Sequence, residues 1–198
     1  MDDDILFYEG GPLPEYLAER KQQLVDMITF LSPEDILEIP EEELITRLLG
    51  EHSLQTPVIQ ERAARIEQTE TGYRTRTGQH ESGTRVVISI PFEGDAKLFS
   101  YTPTSYTLNH PHAQLIRGHL VLEYDGTDLN ADTIKASFQS TIVEMKQWLG
   151  RVDKDVESHN KSLPPAIKQA IATRRQKLEA DKALREGLSS LTNDESKV

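Results

Sequence analysis

The stretch NADTIKASFQSTIVEMKQWLGRVDKDVESHNKSLPPAIKQAIATRRQKLEADKALREGL, residues 130–188, decides the fold. Its first half places Ile134, Phe138, Ile142, Met145, Trp148, Leu149, Val152 and Val156 three and four positions apart, which is one stripe of a helix. Its second half repeats the spacing with Leu163, Ile167, Ile171, Leu178, Leu184 and Leu188. Lys161-Ser162-Leu163-Pro164-Pro165 lies between them, and two adjacent prolines predict a helix break there. The expectation is a long antiparallel helical hairpin over residues 127–190, capped at its start by Asn130 or Asp128, with a frayed tail at 191–198.

Upstream of the hairpin the pattern changes twice. Residues 1–60 read as an acidic helical segment. Pro12 and Pro14 precede Glu15, and Leu17, Leu24, Ile28 and Leu31 form an apolar face. Ser32-Pro33-Glu34-Asp35 has the form of a second helix start, a serine cap followed by proline and carboxylates. A third begins at Pro40-Glu41-Glu42-Glu43 and is expected to end at Gly50. Residues 61–126 read as a sheet. Arg85 to Ile90 is β-branched between Gly83 and Pro91, Lys97 to Tyr101 follows a turn at Glu93-Gly94-Asp95, and Leu115 to Tyr124 completes the set. Connections this short require antiparallel pairing. The fold expected is α+β: short N-terminal helices, a small antiparallel sheet of three or four strands, and the hairpin packed on that sheet as one continuous domain.

Composition narrows the function. There is no cysteine, which excludes disulfides, thiolate metal sites and cysteine nucleophiles. The start Met1-Asp2-Asp3-Asp4 lacks a secretory signal, and no apolar run approaches a membrane span, so a cytoplasmic protein with no membrane partner is expected. The net charge of −11 is segregated. Residues 1–70 hold 17 acidic against 5 basic side chains, whereas 151–185 hold 9 basic against 5 acidic. An acidic head and a basic helical end attract one another, within one chain or between copies.

No segment carries a catalytic signature. Asp95-Ala96-Lys97 matches the end of a metal-dependent nuclease site, yet the preceding strand lacks the second carboxylate, and Glu93 supplies only part of one. His110, His112 and His119 do not have the spacing of a tetrahedral metal site. Gly78, Gly83 and Gly94 form no phosphate-binding loop. Lys168, Arg174, Arg175, Lys177, Lys182 and Arg185 make a basic helix face, but Glu179 and Asp181 interrupt it and no aromatic platform accompanies it. Nucleic-acid binding is therefore possible but not favoured. No catalytic residue, cofactor or metal ligand is expected.

Ile90-Pro91-Phe92-Glu93-Gly94-Asp95 with Leu98-Phe99, then Val156 to Asn160, Leu163, and Arg174-Arg175 through Leu178 to Asp181, resemble an accessory or sensor module of bacterial proteins. In that resemblance, which covers residues 85–188, the module precedes a nuclease or TIR effector domain in phage-defence loci. It implies sensing, scaffolding or recruitment. No effector follows within these 198 residues, so the expectation is a separate non-catalytic subunit of a defence complex. Its partner would be a protein or a second copy, docked on the hairpin through Trp148, Val152, Val156, Arg174, Arg175 and Lys177. A helix of thirty residues spans about 45 Å, more than a small sheet can cover, and the uncovered stripe would drive self-association. Two other functions fit the composition: a small nuclease or nucleic-acid-binding protein, and a ligand-sensing domain with a pocket between sheet and helices lined by Tyr101, Tyr106 and His112.

Overall fold

Local chemistry sets several of the element boundaries, beginning with the serine cap of the second helix. A computed structural model describes residues 5–74 and 80–192. It contains α1 (Leu13–Thr29), α2 (Pro33–Glu38), α3 (Glu41–His52), five strands β1 (Val58–Ile59), β2 (Arg65–Arg74), β3 (His80–Glu93), β4 (Gln114–Ile116) and β5 (His119–Gly126), and α4 (Ala131–Thr192). The fold is α+β, with N-terminal helices, an antiparallel sheet and a long C-terminal helix, as the periodicities require. Gly78 and residues 193–198 of the expected tail lie outside the described residues.

The expected hairpin does not form. Pro164 and Pro165 sit inside α4, which runs from Ala131 to Thr192 as one helix. Each proline removes a backbone donor and crowds the preceding turn, at a cost of about 3 kcal/mol in a helix interior. Burial offsets that cost: Leu163, Ile167, Ala170 and Ile171, on either side of the prolines, are at most 6% exposed. What covers them is not a returning helix but the N-terminal ones.

The chain divides into two compact units rather than one continuous domain. The first takes Met1–Tyr16 and Leu54–Glu157, the second Leu17–Ser53 and Ser158–Val198, so the division does not follow the expected three consecutive parts. In the second unit Leu24, Ile28, Ile36, Leu44, Ile45 and Leu48 of α1–α3 form one apolar cluster with the four α4 residues just named. Ser32 caps α2 by accepting from the Asp35 amide at 3.0 Å, with Pro33 in the first turn. Helix α3 continues past Gly50 to His52, two residues beyond the expected end.

In the first unit the sheet is built around β3. Strand β5 pairs along one side of it, from Thr84↔Gly126 to Pro91↔His119, and β4 pairs with β5. The other side carries β2, from Arg65↔Ser89 to Arg74↔His80, and then the two residues of β1 against Phe92 and Glu93. All pairings among these five strands are antiparallel. The strand expected over Leu115–Tyr124 is a hairpin instead. Arg117 and Gly118 turn the chain with φ of 48° and 80°, the double left-handed geometry of a tight two-residue loop. The strand expected over Lys97–Tyr101 is a 3₁₀ turn, Ala96–Ser100. Gly94 explains the difference: it sits at φ 106°, and a Cβ there would lie 2.9 Å from the carbonyl oxygens of both Gln55 and Thr56. The backbone must pass this close before it can enter the turn, which buries Leu98 and Phe99 completely.

The core of this unit joins Ile88 and Ile90 of β3, Leu120 and Leu122 of β5, and Ile142, Met145, Trp148, Leu149, Val152 and Val156 of α4. A segment before α1 closes it. Leu6 donates to the Pro111 carbonyl at 3.0 Å, Phe7 donates to Phe99, and Leu13 donates to Thr102 at 2.7 Å. Phe7 adopts φ 59°, rare for a residue with a large side chain, and is fully buried. Among the described residues no helix is long and apolar enough to cross a membrane.

Candidate functional site

Alternation along the strands sets up a concavity. In β3, Thr84, Val86 and Ile88 point to one face; their partners Glu70, Gln68 and Ile66 in β2 share that face, as do Tyr124 and Leu122 in β5. The helix that covers this face starts at Asn130, whose side-chain oxygen accepts from the amides of Asp132 at 2.8 Å and Thr133 at 3.2 Å. The cap fixes where the first turns of α4 lie. Between them and the sheet is a cleft of about 770 Å³, within the range of small-molecule sites.

Three walls define it. Ala64, Ile66 and Gln68 come from β2 and its entry, two residues apart; Thr84, Val86 and Ile88 come from β3; and Ala131, Ile134, Lys135, Phe138 and Gln139 come from α4. Thr127, Asp128 and Leu129 close the end where β5 leads into the helix, and Glu61 stands at the other. Ile66 is 70% exposed, a large apolar side chain held in water on the wall of a cleft. Phe138, Ile134 and Val86 are half-buried. Beside the cleft the Tyr124 hydroxyl meets the Ser137 side chain in a hydrogen bond, and burial raises its pKa above the ordinary tyrosine value. Glu61 pairs with Lys146, and Lys135 with Asp132 at 3.6 Å. The lining mixes eight apolar residues with seven polar or charged ones, and these form no nucleophile–base pair.

The sequence-derived candidates go elsewhere. Trp148, Val152 and Val156 are 1%, 0% and 3% exposed, so they are core residues and present no docking surface. Trp148 lies against Phe7 and His110, with the Arg151 guanidinium 5.5 Å from its ring. The stripe expected to drive self-association is therefore covered within the chain. Arg174 and Arg175 are half-buried clamps. Arg174 donates to the Leu31 carbonyl at 3.2 Å, and Arg175 donates to the Ile36 carbonyl at 3.0 Å and to the Glu41 carboxylate at 2.8 Å. The Leu31 carbonyl lies just past the end of α1 and the Ile36 carbonyl in the last turn of α2, where a cation is favoured. Lys168 also approaches Glu41, at 3.9 Å, so the acidic head and basic end meet inside the second unit. Lys177 is exposed and pairs with Asp181 at 3.3 Å, and Lys182 approaches Glu186 at 4.0 Å. The basic face is thus divided among helix ends and ion pairs.

Asp95 accepts from the Gln55 amide at 2.6 Å and its own amide donates back to Gln55 at 2.8 Å, which makes it a strut between two loops. Lys97 is exposed. His110 sits with Nδ1 3.2 Å from the Leu6 carbonyl, His119 with Nδ1 3.2 Å from that of Arg117, and His112 bridges to Ile5. Among the described residues no three His, Asp or Glu side chains converge as a metal site would require. A pocket between sheet and helix does exist, but its lining differs from the expected one. Tyr101 stacks on Tyr16 with centroids 4.1 Å apart, while Tyr106 and His112 are exposed away from the cleft. Comparison of the chain with protein-family models, with curated proteins and with solved structures finds no match in any of the three.

Proposed function

We propose that the chain is a non-catalytic docking module whose site is the cleft between the sheet and the first turns of α4, and whose ligand is an apolar-rich peptide segment of a partner protein. The observation that carries this reading is Ile66, 70% exposed on a strand wall that faces Ile134 and Phe138 of the helix wall. Apolar groups arranged this way gain from being covered, at about 25 cal/mol for each Å² removed from water. The lining offers amide, hydroxyl and carboxylate groups that orient a ligand, and no group placed to transform one. The resemblance of residues 85–188 to recruitment modules supports the same role, in a bacterial defence assembly.

The experiment is selection from a random-sequence peptide library on the intact chain, counter-selected on the Ile66→Arg variant. Ile66 is exposed, so the substitution spares the core while placing a cation in the cleft. Docking in the cleft requires peptides that bind the parent chain and lose binding to Ile66→Arg. Enrichment of none, or of peptides indifferent to Ile66, overturns it.

A further inference from the structure

We infer that the segment taken by the cleft binds as an extended strand added to the free edge of β2, with apolar residues at every second position and basic residues at its flanks. This rests on the reading of the cleft as a peptide site. Strand β2 pairs with β3 alone over its ten residues, and among the described residues nothing pairs with its outer edge. The same strand forms the cleft wall. Its cleft-facing positions, Ile66 and Gln68, are two apart, and a neighbouring strand lies about 4.8 Å away with the same alternation. A chain hydrogen-bonded to β2 therefore drops alternate side chains into the space between Ile66 and Phe138, and turns the intervening ones to the opposite face with Arg65, Glu67 and Thr69. A helical ligand has no use for an unpaired strand edge; an extended one uses both features at once.

Charge favours a partner over a second copy of this chain. Strand β2 balances Glu67 and Glu70 against Arg65 and Arg74, but the two ends of the cleft carry carboxylates, Asp128 and Glu61, against the single lysine Lys135 of the lining, and the chain as a whole carries −11. A second copy brings the same net charge of −11, whereas a peptide with lysine or arginine at its ends meets the opposite sign. The charged side chains along β2 are also those that natural sheets use to discourage self-pairing of edges.

The test takes a cleft-dependent peptide from the selection and introduces one N-methyl group at each backbone position in turn. Strand addition predicts a two-residue rhythm: methylation at alternate positions lowers affinity about tenfold or more, and at the intervening positions changes it little, because every second amide of an added strand faces β2. Loss at positions three and four apart, or no positional rhythm, with binding still dependent on Ile66, overturns strand addition and leaves the peptide site standing. Absence of any cleft-dependent peptide overturns both. Sedimentation in which the parent chain dimerises and Gln68→Lys or Ile66→Arg restores the monomer assigns the edge to a second copy and also overturns the proposal.

Discussion

The indole of Trp148 stacks on the ring of Phe7, with centroids 5.2 Å apart and planes 13° from parallel. One ring belongs to α4 and the other to the segment that precedes α1, so this pair closes the core of the first unit between positions far apart in the chain. Phe7 holds a left-handed φ of 59° to make the contact, kept in place by the bond from the Thr102 hydroxyl to its carbonyl at 2.6 Å. Replacing Trp148 with alanine removes the indole from a site 1% exposed and is expected to cost about 3–5 kcal/mol. Thermal unfolding checks it. A change below about 1 kcal/mol would contradict the buried placement.

Arg175 and Glu41 form a part-buried pair that ties α4 to the start of α3, with the two side chains 29% and 27% exposed. A double-mutant cycle with Arg175→Ala and Glu41→Ala is expected to return a coupling of about 1–2 kcal/mol, between the values for exposed pairs and for charge-assisted bonds. Additive effects would show that the arginine is held by the Ile36 carbonyl alone.

Pro164 and Pro165 distinguish a continuous helix from a turn. Within a helix, changing both to alanine restores two backbone donors and is expected to raise stability by about 3 kcal/mol or more, with increased helical circular dichroism. If the prolines instead shaped a connection between two helices, the same change would lower stability.

His159 is 7% exposed, and its pKa is lowered by burial and by the nearby charges of Arg20 and Lys21. The unfolded chain binds a proton at this residue near the ordinary value of about 6.5, while the folded chain resists it. Stability from this group is therefore complete above that pH and declines as the pH falls through about 6.5 towards the lowered folded value. Urea unfolding across neutral to mildly acidic pH should show the decline in the parent chain and a flatter profile in His159→Leu. Equal slopes would place the titration elsewhere.

What is legible in the sequence is short-range. Ser32 and Asn130 announce their helices because a cap needs only its own side chain and the next three amides. Val86 to Ile90 announces its strand because burial and β-branching agree. The turn Ala96–Ser100 is hidden because its cause lies forty residues away, in the bonds between Asp95 and Gln55 and the close approach at Gly94. The continuity of α4 is hidden too. Pro164-Pro165 is a breaker locally, and only the cluster of Leu24, Ile28, Ile36 and Leu44 outweighs that preference. The cleft leaves almost no trace. Its β2 wall carries a single large apolar residue, Ile66, in the otherwise polar run Arg65-Ile66-Glu67-Gln68-Thr69-Glu70, and its other walls come from segments that become neighbours only in the fold.

Docking in the cleft is tested most directly by isoleucine-methyl NMR of the intact chain titrated with a cleft-dependent peptide. Ile66, Ile88 and Ile134 line the cleft, whereas Ile28, Ile36, Ile167 and Ile171 belong to the second unit's core. A peptide seated between the sheet and α4 shifts the first three methyl groups together, saturating at one concentration, while the other four stay in place. Shifts centred on the second set, or an unmoved Ile66, would contradict it.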